Sequence, residues 1–222
     1  MEPELVSLHP GLAAYPLALT RCQPDAPPTV TAWGNVTLLQ HPLLGFFCSI
    51  RCPGDSLLAT YDLARALRDA GIAVIGGFHS PMEKECLTFL LRGTQPVVIC
   101  PVRSLEGMRL PSVWRPALRE GRLLLLSPFA PAHRRITGDL AQRRNLFVAA
   151  LAGGIFVSHA ASGSKTEELA RQTLAWGKPV WALDCPSNQH LPALGAQLTT
   201  PTTAAEVWRA YQTTRVPEMK SQ

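Results

Sequence analysis

Lysine is scarce in this chain of 222 residues: four lysines stand against seventeen arginines. Positive charge is therefore carried by planar guanidinium groups, which suit bidentate contact with phosphate or carboxylate better than solubility alone requires. Charged residues are few, at 17%, and hydrophobic residues reach 46%. That balance excludes an intrinsically disordered chain. Long apolar runs are missing: none approaches the ~20 residues that span a bilayer. The acidic start MEPELVSLHP offers no apolar signal-peptide core. No membrane partner is expected. The six cysteines contain no CxxC pair, and Cys48 and Cys52 have no second pair at zinc-site spacing. Four of the six flank or lie in apolar runs, where a free thiol behaves as a small hydrophobe. The expectation is a reduced, cytoplasmic protein without metal or cofactor.

What is present is unevenly placed. The formal net charge is only +5, yet residues 109–144 hold eight arginines (Arg109, Arg115, Arg119, Arg122, Arg134, Arg135, Arg143 and Arg144) against Glu120 and Asp139. That stretch alone is more positive than the whole chain. It reads either as a phosphate-recognising surface or as a solvated basic face.

The length allows one sizeable α/β domain, or one domain with a short appendage. Residues 1–40 are rich in proline, which resists helix interiors, so extended segments and turns are expected as an extension packed on the core. Thr29–Thr31 and Val36–Leu39 read as short strands. Residues 41–200 then alternate. Apolar strands are expected at Leu43–Ser49, Ile72–Ile75, Gln95–Cys100, Leu123–Leu126, Ile155–Val157 and Pro179–Leu183. Helices are expected at Leu57–Ala70, from Pro81 to about Arg92, Ser112–Arg119, Thr137–Ala152 and Glu167–Trp176. Ser80, Pro81 and Glu83 form a capping-box signature. Asp184–Leu198 reads as a loop. Residues 201–222 read as a surface helix, Thr203–Tyr211, and a flexible tail.

Strands alternating with helices at this spacing indicate βαβ units and a mostly parallel sheet. Right-handed crossovers bring the strand-end turns to one edge, where ligands bind in such sheets. Three small-residue turns would meet there: Ser49–Gly54, Gly76–Ser80 and Ser162–Thr166. Backbone N–H groups at a helix start favour an anion, so the three read as a phosphate site.

The residues also resemble the DprA/Smf family (DNA-processing protein A). Four motifs carry the likeness in order: Cys48-Ser49-Ile50-Arg51, then Gly76-Gly77-Phe78-His79-Ser80-Pro81-Met82-Glu83, then Arg144-Asn145, then Ser162-Gly163-Ser164-Lys165-Thr166. The lead-in Tyr15-Pro16 and Trp33 to Leu39 is similar as well, so the likeness spans about residues 15–186. It implies a Rossmann-like, doubly wound, mostly parallel sheet with helices on both faces. It further implies single-stranded DNA binding without catalysis, a recombinase partner and a homodimer. The departures from the family pattern are Cys48 for a usual glycine, the first-turn arginine displaced by one position to Arg51, Ser80 for an arginine, Glu83 for an aspartate and Leu146 for a common second arginine.

The expected ligand-binding set is Ser49, Arg51, Gly76, Gly77, Phe78, His79, Arg144, Asn145, Ser162, Gly163, Ser164, Lys165 and Thr166, with no catalytic residue. Arg51, Arg144 and Lys165 would neutralise phosphates while turn amides position them. Each has a plainer reading: Lys165 as an exposed first-turn lysine, Arg144 as half of a structural ion pair, His79 as a packed histidine. Trp114 and Phe129 read as base-stacking candidates or as core. Two rival functions stand beside DNA binding. One is a small-nucleotide sensor on the same fold, which needs fewer cations. The other is a nucleoside-monophosphate phosphoribohydrolase, with Glu168 as the carboxylate near the sugar.

Overall fold

A computed structural model describes residues 4–23, 26–131 and 137–219, with side chains to residue 214. Among them the chain forms β1 (Leu5–Leu8), α1 (Ala18–Cys22), β2 (Val30–Gly34), β3 (Leu44–Cys48), α2 (Gly54–Asp69), β4 (Val74–Gly76), α3 (Pro81–Leu90) and β5 (Val97–Ile99). It continues with α4 (Arg115–Arg119), β6 (Leu123–Ser127), α5 (Gly138–Leu151), β7 (Gly154–His159), α6 (Lys165–Ala175), β8 (Val180–Leu183), β9 (Gln197–Thr199) and α7 (Ala204–Met219). The strands make one sheet in the order β1-β2-β6-β5-β4-β3-β7-β8-β9. From β6 to β9 every pairing is parallel, while β1 and β2 join antiparallel. This is the Rossmann-like doubly wound α/β sheet.

The two faces follow from alternation along the strands. Leu44, Phe46 and Cys48 of β3 face one core with Val74, Val97, Ile99, Leu123 and Leu125. Phe47, Ile75, Val98, Leu124 and Leu126 face the other. The first core is covered by α2, α3, α4 and α7, through Leu63, Met82, Leu118 and Trp208. The second is covered by α1, α5 and α6, through Leu19, Phe147 and Leu169. Because both faces are buried, the central strands read as continuous apolar runs.

The direction of winding reverses between β3 and β7, which are neighbours. With β4 on the other side of β3, the three small-residue turns leave adjacent strand ends. A bulge at Phe47/Cys48, where the register moves from Phe47↔Val157 to Cys48↔His159, splays β3 from β7 at that edge.

Several expectations are corrected. Val36–Gln40 is a 3-10 turn and not a strand, because the Asn35 side chain accepts from Thr37 N and caps it. The strand β1 escapes a pattern reading because three of its four residues are exposed. The 184–198 segment is not all loop: two 3-10 turns lead into β9, which extends the sheet beside β8. The closing helix does not stop at Tyr211 but continues to Met219. Trp208 anchors it, packing edge-on against Trp181 at 5.8 Å, and a docked first half favours further turns. The proline-rich segment is tied down by Tyr15, which is buried and donates its hydroxyl to Pro27 O at 2.7 Å.

Candidate anion-binding site at the switch point

Ser49 stitches the first turn to the end of β7. Its N–H donates to His159 O at 2.8 Å, and its hydroxyl accepts from Ala161 N at 3.4 Å. Arg51 beside it is exposed, as is Ile50. The turn then opens α2 at Pro53, which has no side-chain cap.

The second turn is organised by a carboxylate. Glu83 is buried, and its two oxygens accept from Cys48 N (3.0 Å), His79 N (2.8 Å) and Ser80 N (3.2 Å). Ser80 returns the contact by accepting from Glu83 N, completing the capping box. The turn between is tight: Phe78 sits at φ 46°, where a side chain is strained. Its ring stacks on Phe46 with centroids 6.4 Å apart. Gly76 lies under that ring, and a Cβ there would stand 3.0 Å from it.

The third turn repeats the device. Ser164 accepts from Glu167 N at 3.2 Å, and Glu167 accepts from Gly163 N at 2.5 Å. Glu167 also holds Arg171 at 2.9 Å. This corrects the expectation that turn amides stand ready for phosphate. At His79, Ser80 and Gly163 they already bind the protein's own carboxylates. Lys165 and Thr166 belong to α6 itself. Lys165 is exposed, and its ammonium reaches Gly138 O at 3.4 Å on α5. Ser162 is exposed on the turn. Glu168 is an exposed surface carboxylate that meets Gln142 at 3.4 Å.

Arg144 is the exception to this self-sufficiency. It is 4% exposed, on α5. Its Nε donates to the Asn145 side chain (2.8 Å) and its Nη1 to Cys100 O (3.1 Å). Both acceptors are neutral. Among the described residues it forms no ion pair, and two of its five N–H donors find acceptors. Burial pushes its pKa down, with Glu83 and Cys100 opposing. The same positive field reaches His79, whose pKa is lowered by burial, then by Arg144 and Lys84. Next to this turn lies a cavity of about 610 Å³, lined by Phe78, His79, Lys84, Arg103 and Trp114 among others. Trp114 thus stands beside the site. Phe129 instead packs in a small core with Val102 and Leu140.

The model for the DNA recombination-mediator protein A family matches residues 8–214. The chain belongs to that family. No curated protein matches it by sequence. Among solved structures it is similar to DNA processing protein A (DprA) from Streptococcus pneumoniae, with TM-score 0.76 and 19% identity over 90% of this chain and 72% of that one. It is equally similar to DNA processing protein A from Helicobacter pylori, with TM-score 0.75 and 20% identity over 95% and 99%. That structure is described for its single-stranded DNA binding mode. A molybdenum cofactor binding protein from Rippkaea orientalis shares the fold more distantly, with TM-score 0.54 and 13% identity over 77% and 96%.

Of the arginine-rich stretch in this family member, Arg109, Arg115, Arg119 and Arg143 are exposed. Arg122 is tied to Glu120 at 2.6 Å and to Leu91 O at 2.9 Å. Arg134 and Arg135 lie outside the described residues. Sequence reasoning missed Asn188. Buried after β8, it donates to Ser158 O and Leu183 O and accepts from Ala160 N, fixing the β7 end of the site. Its signal is invisible in sequence because all three contacts are long-range or to backbone.

Proposed function

We propose that this chain is a DprA-type protein that binds single-stranded DNA at the β3/β4/β7 edge, without catalysis. The observation that carries this reading is Arg144: a buried guanidinium held only by neutral acceptors, at the switch point of a doubly wound sheet. Glu83 acts on it through the field without an ion pair, and a buried guanidinium with no contacting carboxylate carries a desolvation cost of roughly several kcal/mol that an arriving counter-charge offsets. A phosphate oxygen is the fitting counter-charge, because the guanidinium fork matches it.

Around that anchor, Arg51 on the first turn and Lys165 at the start of α6 supply exposed cations, and Asn145, Ser162, Ser49 and Thr166 supply neutral polar groups. Gly76, Gly77, Phe78 and His79 shape the wall between them, while Gly163 and Ser164 hold the start of α6. The affinity is mainly electrostatic, so it falls as salt displaces it. The family's description as a recombination mediator supports passage of the bound strand to a recombinase; a homodimer acting in the cytoplasm is the accompanying proposal.

The test is fluorescence anisotropy with labelled oligo-dT of several lengths over a salt series. Affinity should grow with length and fall steeply with salt. No binding to any oligomer, combined with a nucleoside monophosphate raising the melting temperature, would replace this reading with a small-nucleotide sensor.

A further inference from the structure

The cavity of about 610 Å³ beside the Gly77–His79 turn extends well away from Arg144. It follows α3 from Lys84 to Arg92, and Val113 and Trp114, in the 3-10 turn ahead of α4, line it as well. Its apolar surface comes from Leu87, Ile99 and Val102, which are buried, and from Val113, which is 70% exposed. Trp114 is half-buried beside them.

Three cations stand around that apolar surface. Lys84 lies early in α3, Arg92 two residues past its end and Arg103 after β5, and all three are exposed. Among the described residues no carboxylate lines the cavity, and none of the three forms an ion pair. Arg92 lies over the Phe89 ring at 5.7 Å, and Arg103 Nε donates to Ser104 O at 3.3 Å. Their charge is left uncompensated by the fold.

We propose that this groove docks an acidic peptide segment of a partner protein, in which an aromatic or large aliphatic side chain lies between two carboxylates four residues apart.

The spacing sets that pattern. Lys84 and Arg92 are eight residues apart on helical backbone, about 12 Å along the axis. An extended segment covers that distance in about four residues, at ~3.3 Å each. A carboxylate at each end then meets one cation. The side chain between them falls on Leu87, which lies between the two cations on α3, with the Trp114 ring alongside. A buried apolar anchor within a charged rim is how small interfaces concentrate their binding energy.

Charge decides the sign of the partner. A groove with three cations and no carboxylate attracts an acidic segment and repels a basic one. A nucleoside monophosphate fits less well, because its charge sits at one end and can meet Lys84 or Arg92 but not both.

The test is fluorescence anisotropy on the intact protein with three labelled peptides. The first is GSDGFGDSG. The second has serine in place of the phenylalanine, and the third has lysine in place of both aspartates. Saturable binding of the first is expected, with at least tenfold weaker binding of the other two. Lys84→Glu and Arg92→Glu should each weaken the first peptide at least tenfold, since a like charge then faces its carboxylate. Arg119→Glu makes the same charge change at an exposed residue outside the cavity and should alter affinity less than twofold. All three positions are exposed, so the melting temperature should hold. Arg92→Glu should also leave oligo-dT affinity within twofold. No saturable binding of the first peptide, equal binding of the lysine peptide, or an equal loss in Arg119→Glu overturns the proposal. If Arg92→Glu weakens oligo-dT and spares the peptide, the groove belongs to the DNA strand and the proposal also falls.

Discussion

The Arg144 guanidinium occupies the space beside the α-carbon of Gly77: a Cβ at Gly77 would stand 1.5 Å from Arg144 Nη1. The glycine of the second turn is therefore the seat of the arginine of α5, 67 positions later in the chain. No backbone freedom is needed at Gly77, since its φ is not in the left-handed region. Space alone demands glycine there. Gly77→Ala must displace the guanidinium from Cys100 O and Asn145. Overpacking of this kind costs about 1–3 kcal/mol. The expected result is a lower melting temperature together with at least a tenfold loss of oligo-dT affinity. Wild-type affinity in Gly77→Ala would detach Arg144 from binding.

A second buried cation has the opposite character. Lys178 is buried, and its ammonium donates to Ala149 O, Ala150 O and Ala152 O at 3.0, 2.7 and 2.7 Å. It closes the carboxyl end of α5, where carbonyls lack helical partners and the dipole favours a cation. Lys178→Met keeps the length but strands those carbonyls. A loss of about 2–3 kcal/mol in stability is expected, with DNA affinity per folded molecule unchanged. Chemical denaturation and anisotropy measure the two separately. A stability change under about 0.5 kcal/mol would show the cap to be dispensable.

The contrast between these cations marks what was legible in the sequence. The strands were readable because each buried run is apolar on both sides, and the Ser80/Glu83 box because its partners lie three residues apart. The turns lie close to where the sequence predicts them, with Lys165 and Thr166 already inside α6, but their amides are occupied. That Glu83 also reaches back to Cys48 N, and that Glu167 fills the Gly163 amide, depends on how the strands stack and on which rotamer each glutamate takes. Local spacing predicted acids at helix starts without showing that they consume the donors expected for a ligand. Arg144 was named from its place in a motif. Its burial against Gly77 belongs to the tertiary fold. Lys178 carried no motif at all, and the edge strands β1 and β9 are too short and too exposed to leave a pattern.

Acidification should be visible at His79. Burial lowers its pKa first, then Arg144 and Lys84, with Glu83 opposing. The folded state therefore favours the neutral ring, while an unfolded histidine protonates near 6.5. Stability from this group is present above that value and declines as pH falls through it, because the unfolded chain takes the proton first. His159 adds to the same trend, its pKa lowered chiefly by burial. A bound phosphate would reverse the field at His79, so binding should tighten as pH drops from 7 toward 6. An NMR titration checks both points: the His79 midpoint should lie below 6.5 in the free protein and rise when oligo-dT is saturating. A midpoint that ignores the oligonucleotide would remove His79 from the site.

The sharpest separation of structural from ligand roles comes from Arg144→Met. If the guanidinium were present for stability, removing it would lower the melting temperature. Its partners are one carbonyl and one carboxamide, and it has no carboxylate ion pair among the described residues. Removing a buried charge with no contacting counter-ion also removes its desolvation cost, roughly several kcal/mol per ion. Cys100 O and the Asn145 side chain then lose one neutral donor each, which limits the gain. The expected pair of results is an unchanged or higher melting temperature and at least a tenfold weaker affinity for oligo-dT. The salt dependence should also flatten by about one phosphate contact. Arg144→Lys keeps the charge but not the fork, and should recover only part of the affinity. A variant that melts lower while binding normally would make Arg144 a structural residue and move the phosphate contact to Arg51 and Lys165.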